Sequence, residues 1–269
     1  MSLLAGCDLD RTLVYSAAAL DLDVPDAEAP PLVVAEVYQG APLSFTTRTA
    51  QQLLEALVHR VTFVPVTTRT QEQFRRIQLP SAAESWAVTT NGAVILHDGV
   101  PDAAWTGRLR DELDTESAAL PDVERLFTTL LPAAAVLRTR IAESVFVYAI
   151  VDRAALPDAD LAAFTRAVEA LGWRVSLQGR KLYAVPVPIR KERALAEVAE
   201  RTGADHTVAA GDSLLDREML VWADLGIRPR HGELEAAAWT APTVVVTDAR
   251  GVRAGEEVLR RITAEADRP

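Results

Sequence analysis

The sequence predicts an α/β fold: a doubly wound, mostly parallel sheet interrupted by a smaller α+β unit. Three observations predict it. Short apolar runs alternate with helically spaced segments toward both ends of the chain, as parallel strands and crossover helices do. The middle of the chain instead sets pairs of strand-like runs between helices, the pattern of hairpins in an antiparallel sheet. Clusters of Asp, Thr and Gly follow several outer strands directly, at the carboxyl ends where open α/β sheets bind ligands.

The elements follow in order. Leu3–Cys7 is an apolar run ending at Asp8 and reads as a buried strand. Leu32–Tyr38 and Pro42–Phe45 read as a hairpin beside it. Thr49–His59 is helical through Leu53, Leu54, Leu57 and Val58. Val61–Val66 is a second strand, in which Pro65 removes a ladder donor. Gln71–Gln78 reads as a short helix and Trp86–Thr89 as a third strand. In the middle, Arg108–Leu131 is a helix, Ala135–Arg140 and Ser144–Val151 are strands, and Asp158–Leu171 is a helix. Strands Trp173–Leu177 and Leu182–Val185 then flank Gln178–Gly179–Arg180. The order is helix-strand-strand-helix-strand-strand, edged by Pro101 and the Pro186/Pro188 pair. The doubly wound pattern resumes with helix Lys191–Arg201, strand Thr207–Ala210, helix Ser213–Trp222, strands Leu225–Ile227 and Thr243–Val246, and helix Gly255–Ala264.

A chain of 269 residues fits one large or two modest domains. With 49% hydrophobic and 25% charged residues it can build a sizeable core. A net charge of −10 argues against a broad nucleic-acid-binding face. No apolar run reaches the length of a membrane span, and the N-terminus lacks the pattern of a secretory signal. A cytoplasmic protein with no nucleic-acid or membrane partner is the expectation. Cys7 is the single cysteine and reads as a small core residue. His59, His97, His206 and His231 are scattered, against a zinc cluster. Lys181 and Lys191 are the only lysines in a chain otherwise made basic by arginine, so their chemistry as compact ammonium groups carries weight.

Four segments hold candidate chemistry, each beside a plainer reading. Asp8-Leu9-Asp10-Arg11 follows the first strand; two carboxylates at i and i+2 there can hold a divalent cation and divide nucleophilic and acid–base work, or form a solvated turn. Thr67-Thr68-Arg69 ends the second strand as a candidate site segment; the adjoining Thr70 to Gln73 is a capping box for the next helix. Arg190-Lys191-Glu192 opens a helix, as a functional cation or a solvated start. Gly211-Asp212-Ser213-Leu214-Leu215-Asp216 joins strand to helix, with Gly211 allowing close approach to a ligand and Ser213 with Asp216 fitting a capping box. Arg180 and Lys181 lie on a hairpin that is a substrate contact or a solvated turn, and Arg228, Arg230 and His231 after the Leu225–Ile227 strand rim the site or, as the safer reading, form a surface loop.

Together, Asp8 and Asp10, Thr67, Lys191, and Gly211-Asp212 with Asp216 resemble, in order and position, the four motifs of the haloacid dehalogenase-like superfamily of phosphotransferases. Asn91-Gly92-Ala93 resembles the turn found after the third strand in its C2-capped subgroup, which includes Cof-type, sucrose-phosphate and mannosyl-phosphoglycerate phosphatases and phosphomannomutase. The resemblance implies a Rossmann-like core over 1–104 and 186–269 and an α+β cap over 105–185. It implies Mg²⁺ held by Asp8, the backbone carbonyl of Asp10 and Asp212, with Asp8 as nucleophile, Asp10 as acid–base, and Thr67 and Lys191 on the phosphoryl oxygens. Asp216 and Ser213 would support Lys191 or the metal's surroundings. Arg11, Thr68, Arg69, Asn91, Arg180 and Lys181 are the implied substrate contacts. The implied activity is hydrolysis of a small phosphorylated metabolite, a sugar phosphate above all, through an aspartyl phosphate. A phosphomutase of the same fold and a binding or regulatory protein that has lost turnover are the alternatives. Two departures bear on the choice: Arg11 stands where the family usually has Gly, and Leu215 where the subgroup usually has Asn.

Overall fold

The computed structural model describes residues 2–22, 24–80, 83 and 85–268, which divide into two units, residues 1–102 with 191–269 and residues 103–190. The first unit begins with β1 (Leu3–Cys7), β2 (Tyr15–Ser16), β3 (Leu32–Tyr38), β4 (Ala41–Thr47) and α1 (Arg48–Leu57). It continues through β5 (Thr62–Pro65), α2 (Gln71–Phe74), β6 (Trp86–Thr89), β7 (Val94–His97) and β8 (Val100–Pro101). The second unit holds α3 (Ala103–Glu116), α4 (Leu120–Thr129), β9 (Val136–Ala142), β10 (Phe146–Val151), α5 (Asp158–Glu169), β11 (Trp173–Gln178) and β12 (Lys181–Pro186). The first unit resumes with α6 (Lys191–Thr202), β13 (His206–Ala210), α7 (Arg217–Trp222), β14 (Leu225–Arg228), α8 (Gly232–Ala236), β15 (Val244–Val246) and α9 (Gly251–Ala266).

The central sheet has the order β15-β14-β13-β1-β5, and every pair is parallel. From β1 the chain winds one way to β5 and later the other way through β13, β14 and β15, so the sheet is doubly wound about β1. β1 is LLAGC with all five residues buried, as a strand covered on both faces requires. Two helix pairs, α1 with α9 and α6 with α7, accompany the sheet. Registers Cys7↔Ala210 and Cys7↔Pro65 bring the ends of three strands level. The residues after them, Asp8, Gly211 and Val66, emerge side by side where the winding reverses, the crevice in which such sheets bind ligands.

Pro65 is tolerated for a local reason. Val66 N–H donates to Cys7 O at 2.7 Å and Thr67 N–H to Val88 O at 2.8 Å. The alternation turns position 65 away from β1, so its missing donor breaks no bond to that strand. The expected hairpin forms as β3 and β4, but it pairs with β2 in a sheet of order β2-β4-β3 and does not extend the central one. β6, the expected third strand, starts a further antiparallel sheet with β7 and β8, two strands beyond those the sequence predicts.

Three helical segments of the first unit differ from expectation. The segment read as Ser213–Trp222 is a 3-10 turn, Leu214–Asp216, followed by α7, because Asp216 reaches back to Ser213. Gln71–Gln78 shortens to α2, capped as expected by Thr70 and Gln73. α9 begins at Gly251, its first turns burying Val252 and Ala254.

In the second unit all strand pairs are antiparallel, in the order β11-β12-β10-β9. Phe127 of α4 meets Phe164 of α5 edge to face at 4.6 Å in its core. The single helix expected over Arg108–Leu131 is two, α3 and α4. Pro121 has no N–H and is accommodated in the first turn of α4, while Ala118 N–H donates to Leu171 O at 2.9 Å in the break. The unit therefore reads helix-helix-strand-strand-helix-strand-strand. Among the described residues no helix is long and apolar enough to cross a membrane.

Candidate active site

Asp8 leaves β1 with its backbone N–H donating to Ala210 O at 2.8 Å, so the strand ladder fixes where its side chain starts. Its carboxylate is buried, with Oδ1 accepting from Lys191 Nζ at 2.6 Å and Oδ2 from Thr12 Oγ1 at 3.3 Å. Tyr15 in turn donates its hydroxyl to Thr12 O at 2.9 Å. Lys191 opens α6, and only 1% of its side chain is exposed. It also donates to Asp216 Oδ1 at 2.6 Å, while Asp216 Oδ2 accepts from Ser213 N–H at 2.9 Å and Ser213 Oγ at 2.7 Å. A buried ammonium is thus set between two carboxylates, the compensation a buried charge needs. Ser213 performs the capping role expected of it and also orients the partner of Lys191.

Two glycines make the crowding possible. A Cβ on Gly211 would lie 2.5 Å from Asp216 Cγ, so Gly211 makes room for a side chain of the site. Gly232 has φ +90, and a Cβ there would lie 2.3 Å from Asp212 Oδ2. Leu234 N–H then donates to Asp212 O at 3.0 Å, binding the start of α8 to the Asp212 loop.

Arg11, which replaces the usual Gly, adopts φ 65. That left-handed conformation costs a side-chain-bearing residue free energy, and two hydrogen bonds hold it. Arg11 N–H donates to Val14 O at 2.7 Å, and His231 Nε2–H donates to Arg11 O at 2.6 Å. His231 Nδ1 accepts from Gly251 N–H at 3.0 Å, which assigns the neutral Nε2–H tautomer. Burial lowers the His231 pKa and agrees with that assignment. The surface-loop reading of this segment is therefore corrected: His231 and Arg228 are buried, and His231 ties β1's loop to α9. The Arg11 side chain remains 38% exposed, with Nε 3.5 Å from Asp212 Oδ2.

On the β5 side, Thr67 Oγ1 accepts from Arg69 N–H at 3.2 Å, which leaves its own hydroxyl proton to donate. Thr67 and Thr68 are buried. The Thr90–Asn91–Gly92 turn has φ of 52, 59 and 103. It clamps this loop through Thr90 N–H to Arg69 O at 2.7 Å and Asn91 N–H to Thr67 O at 2.9 Å. The Asn91 backbone therefore shapes the loop. Arg69 makes a two-point fork on Asp10, Nε to Oδ2 and Nη2 to Oδ1, both at 2.8 Å. Its Nη1 donates to Glu36 Oε2 at 2.7 Å. The expected substrate contact is thus engaged with the expected acid–base residue. Glu36 is not among the residues the sequence singles out; its signal is a lone charge in the apolar run LVVAEVY.

The charge balance identifies what the site can hold. Asp8, Asp212 and Asp216 present oxygens within 4.8 Å of one another, against one buried ammonium. Burial, partly offset by Lys191 and reinforced by Asp216 and Asp10, pushes the Asp8 carboxyl up to about 7. Burial and the neighbouring Asp8 and Asp216 raise Asp212 well above the usual carboxylate range. Carboxylates held this close stay ionised when a cation joins them. Hard oxygen donors without His or Cys suit Mg²⁺. Asp8, Asp212 and Asp216 together are the cluster that could hold such an ion. Arg180 and Lys181 lie in the second unit at the turn between β11 and β12, where Arg180 Nε donates to Val151 O at 3.4 Å. Cys7 is buried and its thiol pKa is pushed up by burial, as for an inert core residue.

No protein-family model and no curated protein matches the sequence. Solved structures do match along the whole length. A sucrose-phosphatase from Synechocystis in complex with sucrose and phosphate is 15% identical, with TM-score 0.66, over 99% of this chain and 98% of that one. A HAD subclass IIB sugar phosphatase is 10% identical, with TM-score 0.58, over 99% and 100%. The C-terminal domain of the trehalose-6-phosphate phosphatase of C. albicans is 13% identical, with TM-score 0.56, over 98% and 92%.

Proposed function

On the haloacid dehalogenase-like fold that this chain shares with those structures, we propose that it is a Mg²⁺-dependent phosphatase of a small phosphorylated metabolite, a sugar phosphate foremost, acting through an aspartyl phosphate on Asp8. The observation that carries the reading is the buried cluster of Asp8, Lys191, Asp212 and Asp216 at the reversal point of the sheet. The sugar phosphatases among the structures of like fold support the substrate class.

Asp8, Asp212 and the backbone carbonyl of Asp10 would hold Mg²⁺, whose charge offsets the repulsion between a carboxylate nucleophile and a phosphate dianion. Asp8 attacks phosphorus, and the bond to the leaving oxygen breaks. Lys191 and the Thr67 hydroxyl donate to the phosphoryl oxygens as charge builds there. Asp10 gives its proton to the leaving oxygen, then takes one from the water that hydrolyses the acyl phosphate. Asp216 holds the Lys191 ammonium at 2.6 Å, so the cation is in place before substrate arrives. Thr68, Arg11 and the hairpin residues Arg180 and Lys181 are assigned to substrate selectivity. Replacing the last two with Ala should alter kcat/KM for the true metabolite more than for an aryl phosphate. The test of the reading is phosphate release from a panel of sugar phosphates and p-nitrophenyl phosphate. Turnover should require Mg²⁺ and vanish in EDTA; full activity in chelator would overturn it.

A further inference from the structure

We propose that Glu36 is a positioning residue for Asp10, acting through the Arg69 guanidinium; the inference rests on the phosphatase reading above. Glu36 is 0% exposed, and an ionised carboxylate in such a place persists only when its oxygens are satisfied. Oε2 accepts from Arg69 Nη1 at 2.7 Å and from Ser44 Oγ at 3.4 Å, and Oε1 accepts from Arg76 Nε at 2.9 Å. The opposite edge of the Arg69 fork holds both oxygens of Asp10. One planar group is therefore fixed on two edges by two carboxylates. Its fork geometry passes the position of Glu36 on to Asp10, which a lysine's single ammonium would not do.

The backbone is built to deliver this contact. The register between β3 and β4 shifts on both sides of Glu36. Such irregularities re-aim a side chain, and here they accompany the turn of a charged residue out of an apolar strand toward Arg69. Gln78 N–H donates to Ala35 O at 2.8 Å, and Glu36 bridges Ile77, so the hairpin is bound to the segment that carries Arg76. The Arg76 guanidinium lies 4.6 Å from the Tyr38 ring centre. Glu36 thus meets Arg69 from a fixed backbone and beside a fixed second arginine.

A residue that merely stapled the hairpin would affect every substrate equally. A residue that positions the general acid affects most the esters whose leaving oxygen needs a proton. Phenoxide leaves poorly without one; p-nitrophenoxide leaves readily. The experiment measures kcat/KM, which reports formation of the aspartyl phosphate, for phenyl phosphate and p-nitrophenyl phosphate in Mg²⁺. Glu36→Gln should lose roughly 10-fold or more on phenyl phosphate and less than about 3-fold on p-nitrophenyl phosphate. Glu36→Asp, which keeps the charge but retracts it by one methylene, should lose in the same selective sense and covers the case in which Glu36→Gln does not fold. Equal losses on both esters, or none, with wild type active, would overturn the positioning role and leave the phosphatase reading standing. A wild type that hydrolyses neither ester nor any sugar phosphate would overturn the phosphatase reading itself. If it hydrolyses sugar phosphates alone, whose alkoxide also needs a proton, Glu36→Gln should lose roughly 10-fold or more on them, and no loss there would overturn the positioning role.

Discussion

Asp8 and Lys191 are 183 residues apart in sequence, yet their Oδ1 and Nζ atoms lie 2.6 Å apart in a buried site. Each is delivered by a separate piece of regular structure, one at the end of β1 and the other at the start of α6. The pair does two jobs. It compensates a buried negative charge in the resting protein and, in the proposed reaction, would aim the ammonium at the phosphoryl oxygens.

Removing the ammonium should expose the first job. Lys191→Met leaves Asp8 and Asp216 facing each other without their shared cation. Breaking a buried ion pair on one side costs about 3–5 kcal/mol. The unfolding free energy of the metal-free variant, read from urea titration, should fall by that much, and turnover should be lost. A change below about 1 kcal/mol would show that the carboxylates relax into protonated or solvated states at little cost.

Mg²⁺ should bind without substrate. Calorimetric titration of the wild type should show one site, and Asp212→Asn should weaken it by at least an order of magnitude. At a hundredfold excess over Kd the ion should add about 2.7 kcal/mol to stability. Unchanged affinity in Asp212→Asn would remove that residue from the metal site.

Gly232→Ala tests the crowding around Asp212. The new Cβ would meet Asp212 Oδ2 at 2.3 Å in a backbone with φ +90. Both strain and displacement follow, so stability should fall by about 1–3 kcal/mol. Mg²⁺ affinity should fall with it, read by the same titration. An alanine tolerated with unchanged affinity would mean that the loop moves freely.

The motif residues were legible because chemistry demands particular groups just after strands, and strands are legible from apolar runs. Leu3–Cys7 and Trp86–Thr89 were expected with the bounds the structure shows. What remained hidden is nonlocal. Glu36 meets Arg69 across 33 positions and His231 meets Arg11 across 220, and no spacing rule connects either pair. The carboxylate partners of Arg69 are hidden for the same reason, since they lie on two other segments. The split of the first helix in the second unit was a missed local signal, because Pro121 belongs in a first turn.

Acidification should test His231. Its pKa is lowered by burial, so the folded protein resists the proton that the unfolded chain accepts near pH 6.5. The sign is that of a depressed group: stability is fully present above about 6.5 and is lost as pH falls toward the folded value. His231→Gln, which cannot titrate, should lack this part of the acid sensitivity. Unfolding curves of both proteins between about pH 7.5 and pH 5 would read it. Parallel losses in the two would mean that His231 is already protonated in the fold, contrary to its acceptance of Gly251 N–H.

The central claim is that Asp8 carries the phosphoryl group. Asp10→Asn should slow turnover by about 10²–10⁴-fold and let the acyl phosphate accumulate, because the water loses its base. The variant, mixed with p-nitrophenyl phosphate and Mg²⁺ and quenched in acid, should yield a peptide with one phosphoryl group on Asp8 by mass spectrometry, absent in Asp8→Asn. A phosphoryl group on any other residue, or turnover by Asp8→Asn at the wild-type rate, would contradict the account.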